Sequence, residues 1–507
     1  MVSVVKSFSL AGLEGFPVDI EVDIDKGMPS YSLVGLPDVA VKESKQRIES
    51  AIKNSGFVFP VKKIIINLAP ANTKKEGPLF DLGIAVSILV ASGQIDKDKF
   101  KNFVFVGELS LNGKIKPVAG LLPILISAKN LGFANFVIPQ ENLKEASFIG
   151  GINVYTFSSL FDVVKFLNDE IKVDAIQVNK WHCEHDDAIE DFSRVKGQVA
   201  AKRAMEIAVA GGHNMLMVGP PGSGKTMLAK CVPSILPDLT FEEALEITKI
   251  HSVAGILDLN KGIVTTRPFR SPHHTVTTVA LTGGGTKAKP GEISLAHNGV
   301  LFLDEMPEYS RQALETLRQP LEDGVITISR VNKTITYPAN FILIASMNPC
   351  PCGNYGTRDL NCTCTPSAIH KYLSKISGPL LDRIDIKIDV DRVKFYDLTQ
   401  TSNEESSAEI KVRVDKARKI QLERFKNDGI YCNAKMNSKQ LKKYCQLAPE
   451  CEFVLKSAFE TFNMSARGYN RILKVARTIA DLDEKENIEV SHIAEAIGFR
   501  VSEKMQL

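Results

Sequence analysis

Apolar and polar residues alternate near the start of the chain. From Phe16 to Ile24 every second residue is apolar and acidic residues stand between them, which predicts a strand with one solvent-exposed face. Asp38 then precedes a helical pattern that extends to Ile52, and we expect Asp38 to cap that helix. Four further elements are predicted in this region, namely strands at Lys63–Leu68 and Phe103–Val106 and helices at Leu82–Ala91 and Ile124–Leu131. Residues 1–168 are therefore predicted to form one α+β domain.

The rest of the chain divides into three segments. Residues 169–190 are polar and acidic, which predicts a linker. Helical and strand patterns alternate over 191–392, which predicts a parallel sheet with helices on both faces. Residues 393–507 have helical spacing and few strand signals, so a helical C-terminal domain is expected. The predicted fold class is α/β multidomain.

Composition excludes several classes of protein. Hydrophobic residues at 44% and charged residues at 24% of 507 are typical of globular chains, not of disordered or collagen-like ones. With 62 Lys and Arg against 59 Asp and Glu, any contact with nucleic acid must come from local basic patches. Nine cysteines, an N-terminal region unlike a signal peptide and the lack of an 18-residue apolar run predict a cytoplasmic protein with reduced thiols and no membrane partner.

A glycine-rich segment follows the short apolar strand predicted at 215–218 and precedes a helix predicted at Met227–Leu236. Its residues are Gly219, Pro220, Pro221, Gly222, Ser223, Gly224, Lys225 and Thr226. Such a loop lets backbone N–H groups cradle the phosphates of ATP, while Lys225 reaches the distal phosphates and the Thr226 hydroxyl binds Mg²⁺. The alternative, an ordinary glycine-rich turn, is disfavoured by the strand before it and the helix after it.

A phosphate site of this kind needs acidic groups at the end of a neighbouring strand. The apolar run Val300–Leu303 ends in Asp304 and Glu305, which predicts that Asp304 holds Mg²⁺ and Glu305 orients and deprotonates the attacking water. A plain strand end is the alternative. A third apolar strand, at 341–345, is followed by Asn348, whose amide can bridge the γ-phosphate and that water. Arg383 follows a helix and can reach the nucleotide of a neighbouring subunit. For both Asn348 and Arg383, a surface or structural role is the alternative.

Six segments carry a resemblance to a known family: Gly219–Thr226, Val300–Glu305, Met347–Asn348, Gly378–Asp385, Arg267–His274 and Ser465–Tyr469. The first four resemble AAA+ ATPases of the magnesium-chelatase-related clade. The full set resembles the bacterial ComM/YifB family and extends over essentially the whole chain.

The resemblance implies roles for particular residues. Asn348 corresponds to sensor 1, Arg383 to an arginine finger that acts across a subunit interface, and Arg467 to sensor 2, with Arg471 as the rival one helical turn further on. It also implies a homo-oligomeric ring, usually a hexamer. The implied function is an ATP-driven DNA motor that performs branch migration on recombination intermediates, as in natural transformation. A magnesium-chelatase-type motor subunit and, with less support, an ATP-dependent protease are the alternatives.

The N-terminal domain resembles the Lon-protease and ribosomal-S5-like fold, through Gly107–Leu109, Gly113–Ile115 and 131–139. Proteolytic members carry a serine after a Gly-Pro pair and a lysine after a Gly-Leu pair. Leu79 and Leu122 stand at these two places here. Because leucine is neither a nucleophile nor a base, the domain is predicted to be proteolytically inactive.

Four cysteines form two close pairs, Cys350 with Cys352 and Cys362 with Cys364. Four thiolates that fold back on one another suit tetrahedral Zn²⁺, which predicts a structural zinc site, with unliganded or redox-active thiols as the alternative.

Two insertions end in basic residues: a glycine-rich loop at 283–291, and a hairpin predicted by the alternating strand patterns at 325–328 and 334–337. The resemblance implies that such insertions point into the channel of the ring, which makes their basic residues candidates for DNA contact. These residues are Lys287, Lys289, Arg330 and Lys333. An exposed tip that carries basic residues only for solubility is the alternative.

Overall fold

The computed structural model describes residues 2–96, 100–184, 190–285, 288–330, 333–356, 361–393, 404–462 and 464–500. The chain divides into two compact units. The first contains Met1–His182 and Phe241–Thr265, and the second contains Cys183–Thr240 and Thr266–Leu507. Two segments thus differ from the division expected from the sequence: 169–182 and 241–265 both pack with the first unit.

The first unit contains a mixed sheet, seven-stranded over the described residues. Its spatial order is Ser30–Val34, Lys63–Ala69, Glu14–Asp25, Val2–Ala11, Phe103–Phe105, Asn135–Pro139 and Asn153–Phe157, and a separate pair joins Glu108–Leu109 to Ile115–Lys116. Along Glu14–Asp25 the side chains of Val18, Ile20 and Val22 are fully buried, so the predicted alternation is confirmed.

Helices cover this sheet. They are Val39–Lys42, Ser44–Asn54, Asp81–Ala91, Leu121–Asn130, Leu143–Ala146, Leu160–Leu167 and Phe241–Ala254, with 3₁₀ turns at Pro78–Phe80 and Gln140–Asn142. The Asp38 carboxylate accepts from the Val41 N–H at 2.8 Å, which confirms the predicted cap.

The helix Phe241–Ala254 packs on the first unit although its sequence lies between two strands of the second. A buried carboxylate explains this: Glu145 accepts hydrogen bonds from the Ser252 hydroxyl and from the Leu122 N–H. The Gly120 N–H also donates to the Ser252 carbonyl at 3.1 Å. Undocking the helix would leave these buried groups without partners. Helical periodicity alone cannot reveal such a partner.

The second unit contains a parallel sheet, five-stranded over the described residues. Its spatial order is Phe269–Arg270, Val300–Leu303, Ile342–Met347, Met215–Val218 and Ile386–Asp389. Two antiparallel pairs stand apart from it, Gly283–Gly284 with Lys289–Pro290 and Val325–Arg330 with Lys333–Pro338. The predicted parallel sheet and the predicted hairpin are both confirmed.

The helices of the second unit lie around this sheet and in the C-terminal region. They are Val199–Gly211, Lys225–Cys231, Thr278–Thr282, Glu292–Leu295, Arg311–Thr316, Arg318–Asp323, Pro366–Leu373, Gly378–Leu381, Ser407–Arg424, Ser438–Tyr444, Pro449–Thr461, Ala466–Leu482 and Val490–Gly498. Turns of 3₁₀ helix occur at Phe192–Arg194, Val232–Ile235, Met306–Glu308 and Asn433–Lys435. The helix expected to reach Leu236 ends earlier, because Pro233 has no N–H to continue it.

The C-terminal region is helical, as predicted. In Ala466–Leu482 the side chains of Ile472, Val475, Ala476 and Ile479 are buried at helical spacing. They belong to one hydrophobic cluster that includes strand residues of the sheet, so the helices and the sheet share a core. Within the described part of the chain, no helix has the length and apolarity needed to span a bilayer. The cytoplasmic location stays a prediction.

Candidate functional site

The glycine-rich loop joins the buried strand Met215–Val218 to the helix Lys225–Cys231. Gly222 and Gly224 have φ values of 75° and 87°, a region that glycine occupies without strain. At Gly219 an added Cβ would lie 2.0 Å from the Val390 carbonyl, so only glycine fits there. The sequence therefore folds this segment into a P-loop that curls its backbone toward the start of a helix.

The Lys225 side chain is buried and turned toward the loop. Its Nζ donates to the carbonyls of Gly219 at 2.7 Å and Pro220 at 2.9 Å. The Asn348 Oδ1 lies 3.3 Å from the same ammonium group. An ammonium held at the mouth of a loop rich in N–H groups can bind the distal phosphates of a nucleotide.

Thr226 lies near the start of the helix Lys225–Cys231, next to Asp304, which follows the strand Val300–Leu303. The Thr226 hydroxyl donates to Asp304 Oδ2 at 2.7 Å, and the Ser346 hydroxyl donates to Asp304 Oδ1. Adjacent ligands of octahedral Mg²⁺ with bonds near 2.1 Å lie roughly 3 Å apart. The hydroxyl and the carboxylate therefore fit one edge of a magnesium site, and Ser346 orients the carboxylate.

Glu305 follows Asp304 in a left-handed backbone conformation, with φ of 51°. This conformation is uncommon for residues other than glycine and is often found at functional sites. Its N–H donates to Asp304 Oδ1 at 3.1 Å, while its side chain is exposed. The turn therefore directs Glu305 away from the strand into the cavity that it shares with the P-loop.

One cavity of about 300 Å³ brings most of the predicted nucleotide residues together. It is lined by Pro221–Met227, Asp304, Glu305 and Ser346–Asn348. The arrangement combines a phosphate cradle, a magnesium edge and a carboxylate that can accept a proton from water. These groups are among those that phosphoanhydride hydrolysis uses.

Three arginines lie elsewhere in the second unit. Arg383, Arg467 and Arg471 line a different cavity of about 490 Å³, and none of them is among the described residues that line the P-loop cavity. The Arg383 guanidinium is bound to the Glu322 carboxylate, and Arg467 Nη2 lies 3.9 Å from Glu322. Guanidinium groups bind carboxylates and phosphates with the same fork of N–H donors, so this cluster can bind a phosphate.

Arg467 and Arg471 differ in their surroundings. The Arg467 side chain is 63% exposed, whereas Arg471 is ion-paired with the buried Asp385. Burial by itself raises the pKa of Asp385, but the His213 ring and the Arg471 guanidinium hold that pKa well below its usual range. Arg471 therefore has a structural partner, and Arg467 is the more accessible of the two arginines.

The four cysteines lie together. Their Sγ atoms are all within 4.8 Å of one another, and the Sγ of Cys350 lies 3.3 Å from that of Cys352 and 3.6 Å from that of Cys362. Four sulfurs around tetrahedral Zn²⁺ with 2.3 Å bonds are separated by roughly 3.8 Å. The cluster therefore has the composition and spacing of a metal site.

The two positions that would carry a protease dyad are buried. Leu79 is 8% exposed and Leu122 is 1% exposed, and both pack in the core of the first unit. These side chains have no group that can attack a peptide bond.

The candidate DNA-contact residues are only partly described. Lys289 is exposed at the start of the strand Lys289–Pro290. The backbones of Arg330 and Lys333 are opposite each other in the register of their hairpin. Lys287 lies outside the described residues. Their contact with DNA stays a prediction.

Three residues of these sites were not singled out from the sequence. Ser346 and Glu322 acquire their importance from partners distant in sequence, namely Asp304 and Arg383. Asp385 lies within the segment Gly378–Asp385 that carried the family resemblance, so that segment already contained a signal for it.

Comparison with known families identifies the class to which the fold belongs. The profile described as "Magnesium chelatase, subunit ChlI" matches residues 191–398. Two related profiles, "Subunit ChlI of Mg-chelatase" and "Magnesium chelatase, subunit ChlI C-terminal", match residues 20–142 and 404–500. The chain belongs to the magnesium-chelatase-related family of AAA+ proteins, whose P-loop core indicates an ATPase.

Similarity to individual proteins narrows the class. The chain is 44% identical over 504 residues to the competence protein ComM of Haemophilus influenzae, covering 98% of this chain and 97% of that protein. It is 41% identical over 511 residues to YifB of Escherichia coli, covering 99% and 98% of the two chains. The Lon protease of Lachnoclostridium phytofermentans is 26% identical over 176 residues, 32% of this chain and 22% of that protein. Membership of the ComM/YifB family and the Lon-like character of the N-terminal part are thus both confirmed.

Proposed function

We propose that this protein is an ATP-hydrolysing motor that assembles into a homo-oligomeric ring, most simply a hexamer, and acts on DNA. The observation that carries the proposal is the separation of two half-sites. The P-loop, Asp304 and Glu305 line one cavity, and Arg383 with Arg467 lines another. Phosphoryl transfer needs positive charge near the γ-phosphate in the transition state. A second copy of the chain supplies that charge if its arginine cavity faces the P-loop cavity of the first.

Within this proposal each residue has a role. The loop amides and Lys225 bind the phosphates, Thr226 and Asp304 hold Mg²⁺, and Glu305 takes the proton from the attacking water. Asn348 orients that water through its amide, which is already within 3.3 Å of Lys225 Nζ. Arg383 acts as the finger and Arg467 as sensor 2, because Arg471 is bound to Asp385.

Mixing inactive subunits tests the shared site. Arg383→Ala and Lys225→Ala are each expected to abolish ATP turnover in a pure preparation. In a random equimolar mixture about a quarter of the interfaces pair an intact P-loop with an intact arginine. ATPase activity should therefore reappear on mixing. A mixture of Lys225→Ala with the double variant Lys225→Ala/Arg383→Ala is the matched control and should stay inactive. Equal, negligible activity in both mixtures would refute a site shared between subunits.

The DNA substrate is proposed from the relatives. A protein 44% identical over nearly the whole chain is named for competence, and the insertions end in basic residues. We propose branch migration of recombination intermediates as the activity, in natural transformation or a related process. ATPase rates without DNA and with single strands, duplex and a four-way junction test this. The junction should stimulate most, and rates unchanged by every DNA would contradict the proposal.

A chelatase motor subunit is the second candidate, because the matching family profiles describe a magnesium-chelatase subunit. It predicts an ATPase that DNA does not stimulate. An ATP-dependent protease is disfavoured by the buried Leu79 and Leu122. Casein degradation by the purified protein would revive it.

The four cysteines are proposed to hold one structural Zn²⁺. Four protein thiolates complete a tetrahedral shell and leave no position for a substrate. Metal analysis of the purified protein should give one zinc per chain. The Cys362→Ser variant should lose that zinc, whereas Cys451→Ser, a change at a cysteine outside the cluster, should retain it.

A further inference from the structure

The segment that leads from the sheet into the four-cysteine cluster runs along the P-loop. The Gly219 N–H donates to the Met347 carbonyl at 3.1 Å, at the end of the strand Ile342–Met347. The next residue, Asn348, has its Oδ1 3.3 Å from Lys225 Nζ. The first cysteine pair begins two residues later. The cluster is therefore directly continuous with a segment that contacts the loop twice.

A third contact comes from within the cluster. Gly353 follows Cys352, is buried and has φ of +82°. A Cβ added there would lie 2.4 Å from Cδ and 2.8 Å from Cγ of Pro221. The Pro221 ring is tied to the P-loop backbone, so it cannot swing aside as the end of a flexible side chain would. Gly353 thus allows the cysteine turn to lie against the P-loop without a clash.

The cysteine turn is also held from its other side. The Gly353 N–H donates to the Cys350 carbonyl at 3.0 Å, and the Tyr355 N–H lies 3.3 Å from Cys350 Sγ. The second cysteine pair leads directly into the helix Pro366–Leu373, where Thr365 caps the first turn. The backbone of Asn348 also lies close enough to the Tyr372 hydroxyl of that helix to influence its pKa. A metal bound by all four thiolates would therefore link the segment that follows the strand Ile342–Met347 to the segment that precedes the helix Pro366–Leu373.

We infer that the metal-bound cysteine cluster is a brace for the P-loop, so that nucleotide affinity depends on metal occupancy through the contact of Gly353 with Pro221. Gly353 acts as a positioning residue through its close approach to Pro221. The inference rests on the proposed function, because it requires nucleotide to bind at this P-loop. Without the metal, the turn is free to move away from Pro221, and the P-loop loses that support.

The decisive variant is Gly353→Ala, which retains all four cysteines. Its dissociation constant for a fluorescent N-methylanthraniloyl ADP should rise about tenfold or more, while metal analysis still gives one zinc per chain. Gly429→Ala is the matched control. Gly429 has φ of +66°, so alanine has the same backbone strain there, but its Cβ meets nothing within 4 Å. Its nucleotide affinity should equal that of the wild type.

A double-mutant cycle tests whether the effect passes through Pro221. Removing the ring with Pro221→Ala should make the additional change Gly353→Ala nearly harmless, so the two effects on nucleotide affinity should be non-additive. Additive effects would overturn the inference. A Gly353→Ala variant that keeps its zinc and binds nucleotide as the wild type does would overturn it as well.

Removal of the metal from the wild-type protein is a second test of the inference, and it does not depend on the folding of any variant. Wild-type protein stripped of zinc by a chelator should bind the ADP analogue about tenfold more weakly, and added Zn²⁺ should restore affinity. Unchanged affinity in stripped protein with an unaltered circular dichroism spectrum would overturn the brace and leave the proposed ATPase intact. Wild-type protein that contains zinc but binds no nucleotide would overturn both.

Discussion

Asp385 offers a stringent test of how the arginine cavity is held together. It is 7% exposed, accepts a hydrogen bond from the Asn214 N–H at 3.1 Å and is ion-paired with Arg471. His213 Nδ1 lies 3.6 Å from its Oδ2, which is too long for a hydrogen bond but close enough for an electrostatic effect. The change Asp385→Asn keeps the shape of the side chain and removes its charge. Arg471 then loses its counter-ion.

The expected cost follows from these contacts. Breaking a buried ion pair by removing one partner costs about 3 to 5 kcal/mol, because it leaves an uncompensated charge. Asparagine still accepts from the Asn214 N–H and Arg471 is partly exposed, so we expect a smaller cost, about 2 to 3 kcal/mol. Asp382→Asn is the control within the same segment. Its carboxylate is 46% exposed and 3.9 Å from Arg500, so its loss should cost less than about 1 kcal/mol.

Urea unfolding followed by two signals distinguishes a loss of stability confined to the second unit from a loss of stability throughout the protein. Trp181 is the only tryptophan and lies in the first unit, so its fluorescence follows that unit, whereas circular dichroism follows both. Asp385→Asn should shift the circular dichroism transition and leave the tryptophan transition in place. Because the pKa of Asp385 is lowered in the folded state from 3.8, its contribution is complete above about pH 4 and is lost at lower pH. The loss of unfolding free energy caused by Asp385→Asn should therefore be equal at pH 5 and pH 7. An Asp385→Asn variant no less stable than Asp382→Asn would refute the reasoning.

Three further predictions concern other parts of the chain. Glu305→Gln should bind ATP as the wild type does but turn it over at least about 100-fold more slowly, in paired binding and ATPase assays, since the amide cannot take a proton from water. Burial and the charge of Arg500 lower the pKa of Lys387 from 10.5 to about 8, equivalent to at most about 3 kcal/mol of destabilisation at pH 7. Lys387→Met should thus raise the thermal midpoint at pH 7, and its advantage should vanish as the pH rises from 8 to 10.5; a constant advantage would contradict this origin. Glu145→Ala removes the acceptor of buried donors, including the Leu122 N–H, and should cost about 2 kcal/mol in the unfolding transition reported by Trp181 fluorescence; an unchanged transition would show that the docked helix does not depend on that carboxylate.

Local sequence patterns predicted much of the fold. The alternation at Val18, Ile20 and Val22 requires one buried face wherever the strand packs, and Asp38 caps its helix through an N–H three residues away. The P-loop and the Asp304–Glu305 pair were also identified from the sequence, because the chemistry of phosphate and Mg²⁺ constrains residue type over a few neighbouring positions. The structure then brought them into one cavity.

Other predictions could not be refined from local patterns. The segment 241–265 has ordinary helical spacing, but the buried acceptor at Glu145 places it in the first unit. Arg467 and Arg471 are rivals in sequence, and the buried Asp385 distinguishes them by binding Arg471. Likewise, nothing around Gly353 in the sequence indicates that it lies against Pro221.

The sequence by itself determined the chemistry available to this protein. It encodes a phosphate-binding loop, a carboxylate that can hold Mg²⁺, a glutamate that can act as a general base and four thiols, each within a few adjacent residues. Only the tertiary structure decided which of these groups share a cavity, because that depends on strand order and on contacts between residues far apart in the chain. The arginines illustrate the difference. Their residue type suits them to bind phosphate, but their position in a cavity apart from the P-loop is what makes a second copy of the chain necessary for the proposed reaction.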